Sequence, residues 1–166
     1  MSFFAAIPHG SYRIPGPPAW VMGLFFVAVI VAVVRLRSER VLGRWESGSL
    51  ALILFLLAGV MATYPFPPSV TAKNLEVTVL DVAQGDSILV VSPKGGTPLI
   101  DGGGAFEGFR GREEHFGPDP GEEAVSTYLW SRGFQKLDAV ALSHAHQDHI
   151  GGLTAVLQNF RVSRLL

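Results

Sequence analysis

From Trp20 to Val34 the sequence runs without one charged side chain, and its apolar residues do not fall on a stripe. A helix built from it would be greasy on every face. Such a helix cannot lie on the surface of a globule, because no side of it prefers water. It must be wrapped by a protein core or by lipid. Pro17 and Pro18 suit the first helical turn, where a missing N–H costs little. Arg35 and Arg37 can reach out of the far end, so the run approaches the roughly 20 residues that cross a bilayer. A second run, Leu50 to Tyr64, has Trp45 before it and stops at Pro65-Phe66-Pro67-Pro68. Aromatic residues at the ends and arginines at the edges favour lipid over a soluble core.

The link between the two runs holds Arg35, Arg37, Arg40 and Arg44 against Glu39 and Glu46, whereas on the other side only Arg13 lies near the first run. The excess of arginine predicts a cytoplasmic link. Both the N-terminus and everything after Tyr64 then lie outside the cytoplasm, on a multi-pass protein of the inner or plasma membrane. Residues 1–19 have no basic start and are broken by Pro8, Pro15, Pro17 and Pro18. They read as an extracytoplasmic or interfacial segment rather than a signal peptide.

The expected organisation is therefore residues 1–19 at the interface, 20–64 as two transmembrane helices, 65–74 as a linker, and 75–166 as a folded domain. The 48% hydrophobic content is concentrated in the first half. A formal net charge of -1 gives no basic field of the kind that marks nucleic-acid binding. With no cysteine there is neither a disulfide nor a thiolate ligand.

Leu75 to Leu80 alternates and reads as a strand, followed by the loop Asp81 to Asp86 and a second strand, Ser87 to Val91. Ser92-Pro93-Lys94-Gly95-Gly96 is a hairpin turn, and Thr97 to Ile100 a third strand. Phe106 to Pro120 reads as an exposed loop. Glu122 to Arg132 reads as a helix, acidic in its first turn and stopped by Gly133. Leu137 to Leu142 is a strand, Leu153 to Phe160 a short helix, and Val162 to Leu166 another strand.

The chemistry sits between the last two strands. Leu-Ser-His-Ala-His-Gln-Asp-His-Ile-Gly-Gly, Leu142 to Gly152, gathers three of the five histidines and an aspartate: His144, His146, Asp148 and His149. In an extended segment His144 and His146 point the same way and can grip one ion. After a turn, Asp148 and His149 present a second pair. Imidazole nitrogen with carboxylate oxygen suits zinc, with manganese or iron as other occupants. The competing reading is a polar loop with solvated histidines, as His9 and His115 are expected to be. Gly151 and Gly152 let backbone pass close and let a helix start. Asp101, before three glycines, is either a turn former or a residue behind the metal ligands.

The pattern His144-x-His146-x-Asp148-His149 resembles the metal motif of the metallo-β-lactamase superfamily. Asp81-Val82-Ala83-Gln84-Gly85-Asp86, Asp101-Gly102-Gly103, Arg132-Gly133 and Leu137-Asp138 narrow the likeness to the ComEC family, membrane channels for DNA uptake in competence. Ala83 stands where that family has glycine, and His146 where many members have aspartate. The resemblance implies an α/β fold: about one half of the αββα metallo-β-lactamase sandwich, preceded by two transmembrane helices. It implies two zinc ions in the complete domain, the first two histidines on one, and His149 with Asp148 on the other. Asp148 would also orient the nucleophile. The later ligands, a histidine, a bridging aspartate and a final histidine, would lie beyond Leu166, so the chain is expected to be a fragment and inactive by itself.

Three functions follow as expectations. One is a metal-dependent phosphodiesterase acting on DNA. Another is a hydrolase of the same fold acting on an ester, lactone or lactam. The third is a membrane-anchored remnant without activity. Its partners would be DNA, membrane, and either the missing remainder of the channel or further copies of itself.

Overall fold

The computed structural model describes residues 14–37, 43–71, 73–104 and 119–166. His9, His115 and most of the expected loop Phe106 to Pro120 lie outside them. The chain divides into two compact units, one of them Gly16–Phe66 and the other built mainly of Pro67–Leu166.

The first unit is a pair of packed helices, α1 (Ala19–Arg37) and α2 (Arg44–Thr63). Both are long and apolar enough to cross a membrane. Neither is a core helix: Phe26, Val27, Ile30, Val33 and Val34 on α1 are exposed, as are Leu52, Ile53, Phe55 and Leu56 on α2. α2 starts earlier than the apolar run. Glu46 reaches back to accept from the Gly43 N–H at 3.2 Å, which satisfies a helix-start donor and draws residues 44–49, ahead of the apolar run, into the helix. It ends at Tyr64, left-handed with φ 43, whose N–H donates to the Val60 carbonyl just before Pro65.

In the second unit, β1 (Glu76–Val79), β2 (Ile88–Val91) and β3 (Pro98–Ile100) form an antiparallel meander. The turn joining β2 to β3 is pinned by the Ser92 hydroxyl, which accepts from the Gly96 N–H at 2.8 Å. After residue 118 a π-helical turn, Gly121–Ser126, runs directly into α3 (Thr127–Ser131). The expected helix is present, but its first half is wound wide. β4 (Lys136–Leu137) and β5 (Ala139–Ala141) follow, then α4 (Gln147–Ile150), α5 (Leu153–Asn159) and β6 (Arg161–Val162).

β5 joins β3 in parallel, so the main sheet has the order β1-β2-β3-β5, and β4 pairs with β6 in a second, two-stranded sheet. The single strand expected over Leu137 to Leu142 is thus two. Asp138 divides them: its carboxylate accepts from the Thr97 N–H at 2.8 Å and the Thr97 hydroxyl at 3.1 Å. The expected last strand is divided as well. Residues 161–162 pair with β4, while Leu165 bridges to Val140 of β5.

Strand register decides where the core lies. Leu89, Val91, Leu99 and Val140 share one face and are buried with Val125, Leu129, Leu137, Leu153, Val156 and Phe160. Burying a side chain of this size contributes about 2 kcal/mol. Glu76 and Thr78 lie on the same face at its edge. There Arg132 donates to Glu76 Oε1 at 2.6 Å and to the Tyr128 hydroxyl at 2.7 Å, clamping α3 onto β1. The opposite face carries Val77, Val79, Ile88, Val90 and Ile100. Val77 and Val79 are 57% and 69% exposed. Period-two alternation with both faces apolar is what a sheet packed on two sides requires, and an αββα sandwich buries this second face between its sheets.

Candidate metal centre

β5 stops at Ala141, and the chain bends at Ser143 and His144. The His146 N–H turns back to the His144 carbonyl at 2.9 Å, and α4 begins with the next residue. The extended spacing expected of His144 and His146 is therefore corrected: a tight bend, not strand alternation, brings them together. Their rings lie 4.6 Å apart, centroid to centroid. The short helix then carries the His149 ring to 4.1 Å from His144. Of the four residues picked out by spacing, the three imidazoles converge. Asp148 stands beside them with its Oδ2 3.8 Å from His149 Nε2, too long for a hydrogen bond. His149 is buried, while His144 and His146 are exposed.

Asp101 is what holds this cluster in place. It ends β3 in the left-handed region, φ 58, and is only 3% exposed. Its Oδ1 accepts from the Ser143 N–H at 2.8 Å. Its Oδ2 accepts from the Ser143 hydroxyl at 2.6 Å and faces His149 Nδ1 at 2.9 Å. Burial pushes the carboxyl upward, but the bonds from Ser143 and His149 outweigh it and hold Asp101 below the usual carboxylate range. The same bond raises His149 against the opposing effect of burial, and the charges of Asp101, Asp148 and Asp86 add to the rise. Asp101 is thus more than the turn former that its glycines allow.

Backbone stitches the surrounding loops to the site. The Gly102 N–H donates to the His149 carbonyl at 2.8 Å, Gly103 N–H to Asp86 at 2.9 Å, and Gly104 N–H to Gln84 at 3.2 Å. A Cβ at Gly85 would overlap the Asp148 carbonyl, and one at Gly104 would overlap Gln147. Only glycine lets these strands of backbone touch. Ala83 takes φ 63, the conformation for which glycine is the ordinary choice. Ala83→Gly is expected to stabilise the fold by about 1 kcal/mol, read as a higher unfolding midpoint.

The donor set fits a metal. Imidazole nitrogen with carboxylate oxygen is zinc chemistry, and the Asp101 bond leaves the Nε2 of His149 free to ligate. Among the described residues no group of three His, Cys, Asp or Glu side chains already stands arranged around an ion. Sequence spacing missed Ser143, whose hydroxyl lies 3.0 Å from His144 Nδ1. The available signal was a hydroxyl directly before the first histidine. It also missed Gly85 and Gly104, whereas Gly152, read as letting backbone pass close, does so: a Cβ there would overlap the Gly102 carbonyl.

Residues 80–165 match the metallo-beta-lactamase superfamily, and the chain belongs to that superfamily, whose members generally bind metal. Over 90% of its length it is 32% identical to ComE operon protein 3 of Bacillus subtilis (strain 168). It spans only 19% of that relative. A stretch of 30 residues is 57% identical to hydroxyacylglutathione hydrolase of Aeromonas salmonicida (strain A449), covering 18% of this chain and 12% of that protein. No solved structure matches the chain. The likeness read from the motifs and the measured similarity agree on a competence-protein relative with a metallo-beta-lactamase domain.

Proposed function

We propose that the chain is the part of a competence membrane channel where two transmembrane helices lead into a metal-dependent phosphodiesterase domain outside the cytoplasm, acting on incoming DNA. The observation that supports it best is the meeting of His144, His146 and His149 in front of one buried carboxylate, Asp101. In this reading His144, His146, Asp148 and His149 hold zinc, two ions in the complete domain, with manganese as the other occupant. Bound zinc supplies Lewis acidity, bringing the pKa of water down to about 7. Asp101 holds the His149 ring by its Nδ1–H. Asp148, partly open to solvent, would orient the attacking water and take its proton as the new P–O bond forms, then pass that proton to the sugar oxygen that departs as the old P–O bond breaks. The remainder of the channel, or further copies of the chain, completes the ligand set and covers the apolar sheet face.

A second reading is hydrolysis of an ester-like bond, favoured by the short stretch shared with the hydroxyacylglutathione hydrolase. Turnover of a phosphodiester against a thioester by the zinc-loaded full-length protein, with its ligand set complete, separates the two. His144→Ala is expected to weaken zinc binding by more than the roughly 10–100-fold that loss of an outer partner costs. Calorimetric titration of the purified chain measures it, and an unchanged affinity removes His144 from the ligand set. The orientation has its own test. Alkaline phosphatase fused after Leu166 is expected to be active, and a green fluorescent protein fused there dark. The reverse pattern would put the domain in the cytoplasm.

A further inference from the structure

We propose that Ser143 is a positioning residue, which ties His144 to the same carboxylate that holds His149 and so sets which nitrogen each ring presents. The protons available to these groups fix the arrangement. Asp101 Oδ1 is taken by the Ser143 N–H. Asp101 Oδ2 lies 2.6 Å from the Ser143 hydroxyl, the separation of an O–H bonded to a carboxylate. An ionised carboxylate can only accept, so the single hydroxyl proton of Ser143 points at Asp101. The Ser143 oxygen then offers His144 Nδ1, 3.0 Å away, nothing but a lone pair. His144 must therefore carry its proton on Nδ1. His149 does the same, because its Nδ1 faces Asp101 Oδ2 at 2.9 Å. The opposite arrangement, with Ser143 donating to His144, would set a hydroxyl lone pair against a carboxylate at 2.6 Å.

One buried carboxylate thus fixes two rings, one directly and one through a hydroxyl. Both rings then present Nε2 as a bare lone pair. The consequence for ligation rests on the metal reading above; the hydrogen-bond relay itself does not. A neutral imidazole in water favours the other tautomer, with the proton on Nε2. Without Ser143 the exposed His144 ring returns to that preference and must give up a proton arrangement before it can ligate.

The test uses the full chain in lipid nanodiscs, labelled with 15N-histidine, free of metal and at a pH where both rings are neutral. Long-range proton–nitrogen correlation reads each tautomer. The expected result is Nδ1–H at His144 and His149 in the parent, a shift to Nε2–H at His144 alone in Ser143→Ala, and recovery in Ser143→Thr. An unchanged His149 signal in Ser143→Ala separates loss of the relay from collapse of the site. If His144 keeps Nδ1–H in Ser143→Ala, or carries Nε2–H in the parent, the relay is overturned. Zinc titration follows, with affinity expected to fall about tenfold in Ser143→Ala and to hold in Ser143→Thr. A parent that shows the tautomers but binds no zinc overturns the metal reading and leaves the relay standing.

Discussion

Asp101→Asn is expected to lower zinc affinity about 10–100-fold while the domain stays folded, and Asp101→Ala to lose both binding and stability. The reason lies in which atoms can donate. Asparagine tolerates the left-handed φ of 58 and fills the same space. Its amide has two orientations. Placing the NH2 where Oδ1 now accepts would set it against the Ser143 backbone N–H, which cannot turn away. The NH2 must then take the Oδ2 place, against Ser143 Oγ and His149 Nδ1. His149 can only answer by accepting, which moves its proton to Nε2 and removes the lone pair that would ligate. Alanine instead leaves the Ser143 and His149 N–H groups without their acceptor. An unsatisfied buried donor costs about 1–3 kcal/mol. Zinc titration beside a thermal melt separates the two variants. An Asp101→Asn protein that binds zinc like the parent would reduce Asp101 to a former of the turn.

The contrast between what the sequence disclosed and what it hid follows the range of the interactions involved. β1, β2 and β3 were legible because alternation and the Ser92–Gly96 turn are local, and the hairpin needs no distant partner. The two greasy helices were legible for the same reason, although the start of α2 was set by Glu46 rather than by hydropathy. The cluster of histidines announced itself by residue type. Its geometry did not, because the bend at His144 and the start of α4 at Gln147 carry no apolar period. The split between β4 and β5 is made by the long-range bond from Thr97 to Asp138, and the anchoring of His149 by a carboxylate from the end of β3. Neither pairing has a local signature. Ser143 is an ordinary polar residue until Asp101 and His144 are both beside it.

Gly85→Ala and Gly95→Ala should diverge sharply, though both glycines have left-handed backbone, φ 74 and φ 86. At Gly95 nothing lies within 4 Å of the added methyl. The substitution there costs only the conformational penalty, about 1–2 kcal/mol. At Gly85 the methyl meets the carbonyl group of Asp148, which is backbone and cannot swing aside. Either the loop Asp81 to Asp86 withdraws or the first turn of α4 moves, and the second carries His149 away from Asp101. The cost is expected to exceed about 4 kcal/mol, the range reached only by a defect with a definite steric cause. Gly104→Ala tests the same interface without a left-handed residue, since its methyl would overlap Gln147 and Asp148. Thermal unfolding of the three variants, with the His149 proton position read in parallel, checks the argument. Comparable destabilisation at Gly85 and Gly95 would mean that backbone conformation alone fixes these glycines. A larger loss at Gly85 and Gly104, with His149 released from Asp101, would mean that the loops exist to press the histidine turn into shape.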